Sequence, residues 1–300
     1  MNADRLLALY EQVAEAPDAV SRLRRFVLDL AMRGKLVPQD AGDEPASDLL
    51  KRIAAEKARL VQAKAIKNSK IPPIEEQEYP FPIPFNWCWT RLGAIGDWGS
   101  GSTPSRSNPD LYGGGITWLK SGELGDCLNL RGSEETVTEK AVQSGSFRRN
   151  KPGDVLIAMY GATIGKLAIL AEEAVTNQAV CGCSPFSGVF NRFLFLFLLA
   201  QRSAFQASSE GGAQPNISKI KIVGTAFPLP PRAEQRRIVA KVEELMALLD
   251  RLEAARGQRE DTRDRLTAAS LARLTAPDAD PAEFPANARF VLATLPALTT

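Results

Sequence analysis

The residues best placed to do chemistry sit in loops rich in glycine, hydroxyl and amide groups. The stretch "GSGSTPSRSNPDLYGGG" from Gly99 combines flexible backbone N–H donors with Ser100, Ser102, Thr103, Ser105 and Arg106. Donors of this kind hold phosphate oxygens and set a protein's position on a duplex. "YGATIGKLAIL" and "TNQAV" place Tyr160, Thr163, Lys166, Asn177 and Gln178 at expected strand ends or turns. Asn and Gln side chains match adenine edges, and Lys matches guanine. "SSEGGAQPNISKIKI" adds Gln214, Asn216, Ser218 and Lys219, and Lys120 closes "GITWLK". For any one of these residues taken alone, turn chemistry and sheet packing are the default reading. Together they form a candidate set for contacting double-stranded DNA.

Other chemistries are excluded or disfavoured. The glycine-rich loop lacks a Walker lysine and the spacing of a dinucleotide fingerprint. "NPDLY" at Asn108 differs from the Asn-Pro-Pro-aromatic motif of amino-methyltransferases at Asp110, and no cofactor-binding glycine fingerprint precedes it. The 300 residues contain no histidine, which excludes a Ser-His-Asp or Cys-His arrangement and any His-ligated metal within them. Carboxylate or lysine catalysis stays open. Cys181 and Cys183 form a Cys-x-Cys pair with no histidine, a poor zinc site. With Cys88 and Cys127 they read as buried free thiols. No metal or cofactor is expected in this chain.

The elements that position these loops follow from composition. Residues 1–70 read as helical. "VSRLRRFVLDLAMRGKL" puts Leu23, Phe26, Val27 and Leu30 on one stripe, with Gly34 as the terminating glycine. A second helix follows Pro45, with Leu49, Leu50, Ile53 and Leu60 at helical spacing. Residues 71–232 begin with the proline-punctuated "IPPIEEQEYPFPIPFNW" and continue as short Val/Ile/Thr/aromatic runs bounded by glycines, the pattern of a mixed α/β domain. One apolar helix, "RFLFLFLLA", is too short to span a bilayer and reads as buried. Residues 81–232 carry 14 Lys and Arg against 11 Asp and Glu, a mild lean toward a polyanion. The N-terminal "MNADRLLALYEQ" is acidic and amphipathic, unlike a signal peptide. The expected location is cytoplasmic, with no membrane partner.

Residues 233–275 read as a long helix. Ile238, Val242, Leu245, Leu249 and Leu252 fall at steps of four, three, four and three, the narrow seam of a coiled coil. This seam is expected to meet a partner helix, from this chain or another. Residues 276–300 hold several prolines and are expected to form a loosely docked tail. The fold class expected is α+β, a mixed α/β domain flanked by long helices that form a coiled-coil spacer.

The segment "NISKIKIVGTAFPLPPRAEQRRIVAKVEELMALLDRLE" resembles the junction in specificity subunits of type I restriction–modification enzymes. There a target-recognition domain ends in Pro-Leu-Pro-Pro, followed by Glu-Gln-x-x-Ile-Val and a spacer helix. "LRRFVLDLAMRGKLVPQDAGDEPASDLLKRI", "WTRLGAIGDWGSGSTPSRSNPDLYGGGITWLKSGEL" and "YGATIGKLAILAEEAVTNQAV" resemble other parts of the same family. The resemblance covers most of residues 20–275. It implies a sequence-specific DNA-binding subunit, not catalytic alone. Its partners would be adenine-methylating modification subunits that bind S-adenosylmethionine and an ATP-driven restriction subunit. The helix would act as a ruler between recognition domains, and the proline junction as a hinge. Family members resemble two tandem copies of domain plus helix, whereas this sequence holds one; it reads either as a half-length subunit that self-associates or as part of a longer two-domain product. The alternative is a coiled-coil adaptor that binds only protein.

Overall fold

The computed structural model describes residues 18–209, 216–275 and 284–299. They divide into two compact units: residues 25–243, and residues 1–24 with 244–300. Residues 25–70 and 233–243, read from composition as separate helical zones, cluster with the strand-rich zone.

In the larger unit, helix α1 (Ala19–Met32), which begins in the smaller unit, gives way to Gly34 at φ +65°. A Cβ there would press on Pro84 and Trp87, so both backbone angle and space require glycine. The buried positions of α1 are Ala19, Val20, Leu28, Ala31 and Met32, and Phe26 is 57% exposed. The expected stripe through Phe26 is therefore wrong. A helix this rich in aliphatic residues offers two stripes at helical spacing, and packing selects the one with the small Ala31. Helix α2 (Ala46–Gln62) buries Leu49 and Ile53 of the four expected positions, together with Ala46, while Leu50 and Leu60 are half-buried.

The strand-rich region opens with β1 (Cys88–Arg91), β2 (Gly96–Ser100), β3 (Tyr112–Leu119), β4 (Cys127–Leu130) and β5 (Glu135–Val137), then a short helix α3 (Glu139–Ser144). It continues with β6 (Val155–Ala158), β7 (Leu167–Leu170), β8 (Val175–Thr176) and β9 (Val180–Pro185). Helices α4 (Asn191–Ala200), α5 (Arg202–Ser208) and α6 (Lys219–Gly224) lead to β10 (Ala226–Leu229). The main sheet has order β2-β9-β6-β7-β4, antiparallel except for the β7/β4 pair. A second sheet runs β5-β3-β8, and β1 pairs with β10.

Helix α4 is the expected buried helix, with Phe193 to Leu198 all buried. It packs on β6 and β7, and Phe193 and Phe197 meet Phe227 edge-on at 5.8 and 4.8 Å. Each such aromatic contributes roughly 1.5–3 kcal/mol by leaving water. Of the four cysteines expected to be buried, Cys181 and Cys183 are, while Cys88 and Cys127 are half-buried; desolvation pushes the Cys181 thiol up to about 12 and Cys88 to about 11, which leaves both as poor nucleophiles.

The proline junction is a packed strand rather than a hinge. Pro228 lies in β10 opposite Trp89, and residues 227–231 are all buried. An edge position tolerates the missing N–H. Helix α7 (Arg232–Thr275) follows at once. Its Glu234 carboxylate is buried and accepts from Trp87 Nε1 at 2.9 Å and Gln39 Nε2 at 2.6 Å. Gln235 Oε1 accepts from the Phe190 N–H at 2.7 Å, and its amide donates to the carbonyls of Gly188 and Pro230. The Glu-Gln pair of the junction thus fastens α7 to three other chain segments, around Gln39, Trp87 and Gly188–Phe190.

In the smaller unit, Arg24 of α1 reaches Asp250 at 2.6 Å and Glu253 at 3.0 Å on α7. Leu249 is buried and Leu248 is 53% exposed. The tail is a correction: α8 (Phe284–Thr299) is a 16-residue helix, with the Arg273 guanidinium 3.8 Å above the Phe290 ring. Pro285 falls in its first turn, where no intrahelical donor is required. No described helix is long and apolar enough to cross a membrane.

Candidate nucleic-acid interface

Strand direction decides where the candidate loops go. Ser100 at the end of β2 pairs with Cys181 near the start of β9. Ala158 at the end of β6 pairs with Val180, and Ile157 with Leu167 at the start of β7. Cys127 at the start of β4 pairs with Ala168. The loops after β2, after β6, before β9 and before β4 therefore leave the main sheet at the same end. The candidate residues between Ser100 and Gln178 all sit on them or beside them.

Hydrogen bonds tie these loops together. The Ser102 N–H donates to the Thr176 carbonyl at 2.9 Å, and the Asn177 N–H to the Leu119 carbonyl at 2.9 Å, next to Lys120. Thr103 Oγ1 donates to Gln178 Oε1, which leaves the exposed Gln178 amide nitrogen available. Asn177 Oδ1 accepts from the Ala179 N–H at 3.1 Å and so forms the turn itself. Ser105 and Ser107 hydroxyls bond to each other at 2.7 Å.

The loop after β6 is a second cluster. Thr163 Oγ1 donates to the Tyr160 carbonyl at 2.8 Å, and the Lys166 N–H to the Thr163 carbonyl. Arg202 braces it by donating to the Gly165 carbonyl at 2.9 Å and pairing with Asp126. Tyr160 is 41% exposed and forms a β-bridge with Asn216, and Ile217 N–H donates to the Met159 carbonyl at 2.8 Å. Asn216, Ser218 and Lys219 thereby join the same end of the sheet. The Ser218 hydroxyl accepts from the Lys221 N–H and caps α6. Gln214 lies outside the described residues.

The candidate cations differ in state. Arg106 donates to both Glu135 oxygens, at 2.6 and 3.2 Å, and its guanidinium lies 4.6 Å from the Tyr112 ring and 5.3 Å from Trp118. Lys120 Nζ reaches Glu134 at 2.8 Å and Glu135 at 3.1 Å. Arg106 first, then Lys120, hold the Glu135 carboxyl down to about 2. Lys219 is exposed, and neither it nor the half-buried Lys166 enters an ion pair among the described residues. Glu135 escapes a residue-by-residue reading of the sequence, because it lies 15 residues after Lys120 and 29 after Arg106.

The expected partner seam lies largely inside the chain. Ile238 and Val242 are buried in the larger unit and Leu249 in the smaller, while Leu245 and Leu252 are half-buried. The apolar groups of Ile238, Val242 and Leu249 are already covered by this chain, so of the five expected partner-interface residues only Leu245 and Leu252 keep exposed apolar surface.

Comparison with known proteins gives a consistent result. The family described as type I restriction modification DNA specificity domain matches residues 84–259. The chain is similar to the type I restriction enzyme EcoAI specificity subunit of Escherichia coli, 32% identical over 268 residues, covering 85% of this chain and 44% of the relative. It is also similar to the EcoEI specificity subunit of Escherichia coli, 28% identical over 292 residues, covering 90% and 48%. A solved chain from work on complex assembly and conformational transition of the type I R-M system superposes with a TM-score of 0.54 at 21% identity. That match covers 89% of this chain and 56% of the other. The chain spans about half the length of the curated relatives it matches.

Proposed function

Because the chain belongs to the family of type I restriction modification DNA specificity domains, we propose that the sheet-end loops of its larger unit read a specific sequence in double-stranded DNA. The observation that carries this reading is the convergence of those loops at one end of the main sheet. They bring hydroxyl, amide and lysine groups to a common surface, with Lys166 and Lys219 in no ion pair among the described residues. Backbone donors and lysines suit phosphates, and the free amide of Gln178 suits a base edge.

On this reading the chain has no catalysis of its own. It directs adenine methylation by modification subunits that bind S-adenosylmethionine, and cleavage by an ATP-driven restriction subunit. One recognition domain reads one half-site, so a full site requires a second domain, either from further sequence of a longer product or from a second copy; in the second case a two-fold axis relates the two. The interrupted site would then be palindromic.

The decisive experiment is co-expression with the cognate modification subunit and mapping of methylated adenines. A fixed two-part motif that loses definition at one position in Gln178→Ala supports the reading. Methylation without sequence preference overturns it and favours a protein-only adaptor, whereas a motif untouched by alanine at Gln178, Lys166 and Lys219 together overturns the assignment of reading to these loops.

A further inference from the structure

One carboxylate serves two of the candidate DNA-contacting cations. Glu135 opens β5 directly opposite Trp118 of β3, so its backbone is fixed by the sheet. Arg106 comes from the loop after β2 and Lys120 from the end of β3, and both converge on it. Glu134 adds a second carboxylate to Lys120 at 2.8 Å. The Arg106 guanidinium also lies against the Tyr112 and Trp118 rings. Its planar fork is therefore oriented before any ligand arrives, and exchange of one anion for another needs little rearrangement. Arg106 is 58% exposed and Glu134 is 72% exposed, so incoming anions reach the cluster from solvent.

We propose that Glu135 holds Arg106 and Lys120 in reserve, occupying both until a correctly docked DNA phosphate or base edge displaces it, and so keeps affinity for arbitrary DNA low. The proposal rests on the DNA-reading function above and assigns Glu135 a specificity role within it. Exposed ion pairs between protein groups are weak and easily exchanged. A polyanion engages loose lysines at any sequence but engages caged cations only when docking aligns its phosphates with them. In the larger unit Lys166 and Lys219 would supply general attraction, and the caged pair would respond to fit.

The test is a salt titration of binding between the full chain and a short fluorescein-labelled duplex of random sequence. Each phosphate neutralised contributes about 0.9 to the slope of log affinity against log salt. Glu135→Gln keeps the shape and an acceptor oxygen but removes the charge. It is expected to tighten random-sequence binding and steepen the slope by up to about two units. That adds roughly a tenfold loss between 50 and 200 mM salt. Lys120→Gln and Arg106→Gln in the otherwise unchanged chain are expected to leave the slope unchanged, and to reverse the gain when combined with Glu135→Gln. A purely structural Glu135 would instead lower the melting temperature and weaken binding when substituted.

The outcomes separate. If Lys166→Gln lowers the slope by about one unit but a folded Glu135→Gln leaves it unchanged, the Glu135 role is overturned and DNA reading stands. If Glu135→Gln fails to fold, the single cation variants decide: a drop of about one unit shows those cations already on phosphates and overturns the proposal, and no drop supports it. If the unchanged chain shows no salt-dependent DNA binding at all, both readings fall together.

Discussion

Gly101 and Thr176 are in contact through the glycine's missing side chain: a Cβ on Gly101 would overlap both the carbonyl and the hydroxyl of Thr176. The next residue, Ser102, donates its N–H to that same carbonyl at 2.9 Å. This close approach anchors the loop that carries Thr103, Ser105 and Arg106. Gly101→Ala is expected to cost about 1–3 kcal/mol by overpacking and to displace the loop, with a loss of DNA affinity. Gly122→Ala, where a Cβ meets open space, is the control and should be near neutral. Urea unfolding together with DNA titration reads both effects.

Glu234 gives a pH signature. Burial raises its pKa above the ordinary glutamate value, partly offset by the hydrogen bonds from Trp87 and Gln39. A carboxyl with a raised folded pKa binds more protons folded than unfolded, so its contribution to stability falls as pH rises through the window from about 4.5 upward. Glu234→Gln retains a hydrogen-bonding amide there and should remove that decline. Glu234→Ala should cost about 1–3 kcal/mol by leaving the Trp87 and Gln39 donors unpaired. Denaturant midpoints measured across this window for the three chains test the sign. A parallel pH dependence in all three would show that Glu234 does not titrate as argued.

The opposite sign is expected for Glu135, whose carboxyl is held down to about 2 by Arg106 and then Lys120. Its contribution is present above the ordinary glutamate value and is lost as pH falls from about 4.5 toward 2. Glu135→Gln should flatten this acid limb specifically.

Two neighbouring leucines on α7 separate burial from exposure. Leu249 is 8% exposed and Leu248 is 53% exposed. Leu249→Asp would bury an unpaired charge and is expected to cost several kcal/mol. Leu248→Asp should stay within about 0.5 kcal/mol in the isolated chain. Thermal unfolding of both variants checks this. If Leu248→Asp also blocks assembly with a modification subunit, the exposed side of α7 is the partner surface.

The length of α7 makes a spacing prediction. Its 44 residues span about 66 Å at 1.5 Å per residue. Insertion of one heptad after Leu252 adds about 10 Å, or roughly three base pairs of DNA, while keeping the apolar stripe in phase. Methylation mapping should show the gap between half-sites lengthened and each half-site unchanged. An unchanged gap would remove α7 from the role of ruler.

The sequence by itself determined the period and polarity of the elements, because those depend on neighbours along the chain. The buried α4, the strands β3, β6, β7, β8 and β9, Leu49 and Ile53 of α2 and the start of the long helix after Pro231 were legible in this way, as was the family resemblance. Tertiary structure decided what those residues touch. Phe26 and Leu28 both fit a helical stripe, and only packing chose between them. Pro228, Pro230 and Pro231 read as a hinge, yet pairing with β1 placed Pro228 in a buried strand that leads straight into α7. The heptad from Ile238 to Leu252 has the same spacing whether its partner is another chain or its own, and the fold covered Ile238, Val242 and Leu249 itself. Arg106, Lys120 and Glu135 are separated along the chain. Their joint ion pair exists because β3 and β5 pair in one register and the loop after β2 folds over them, a long-range fact that no local pattern encodes.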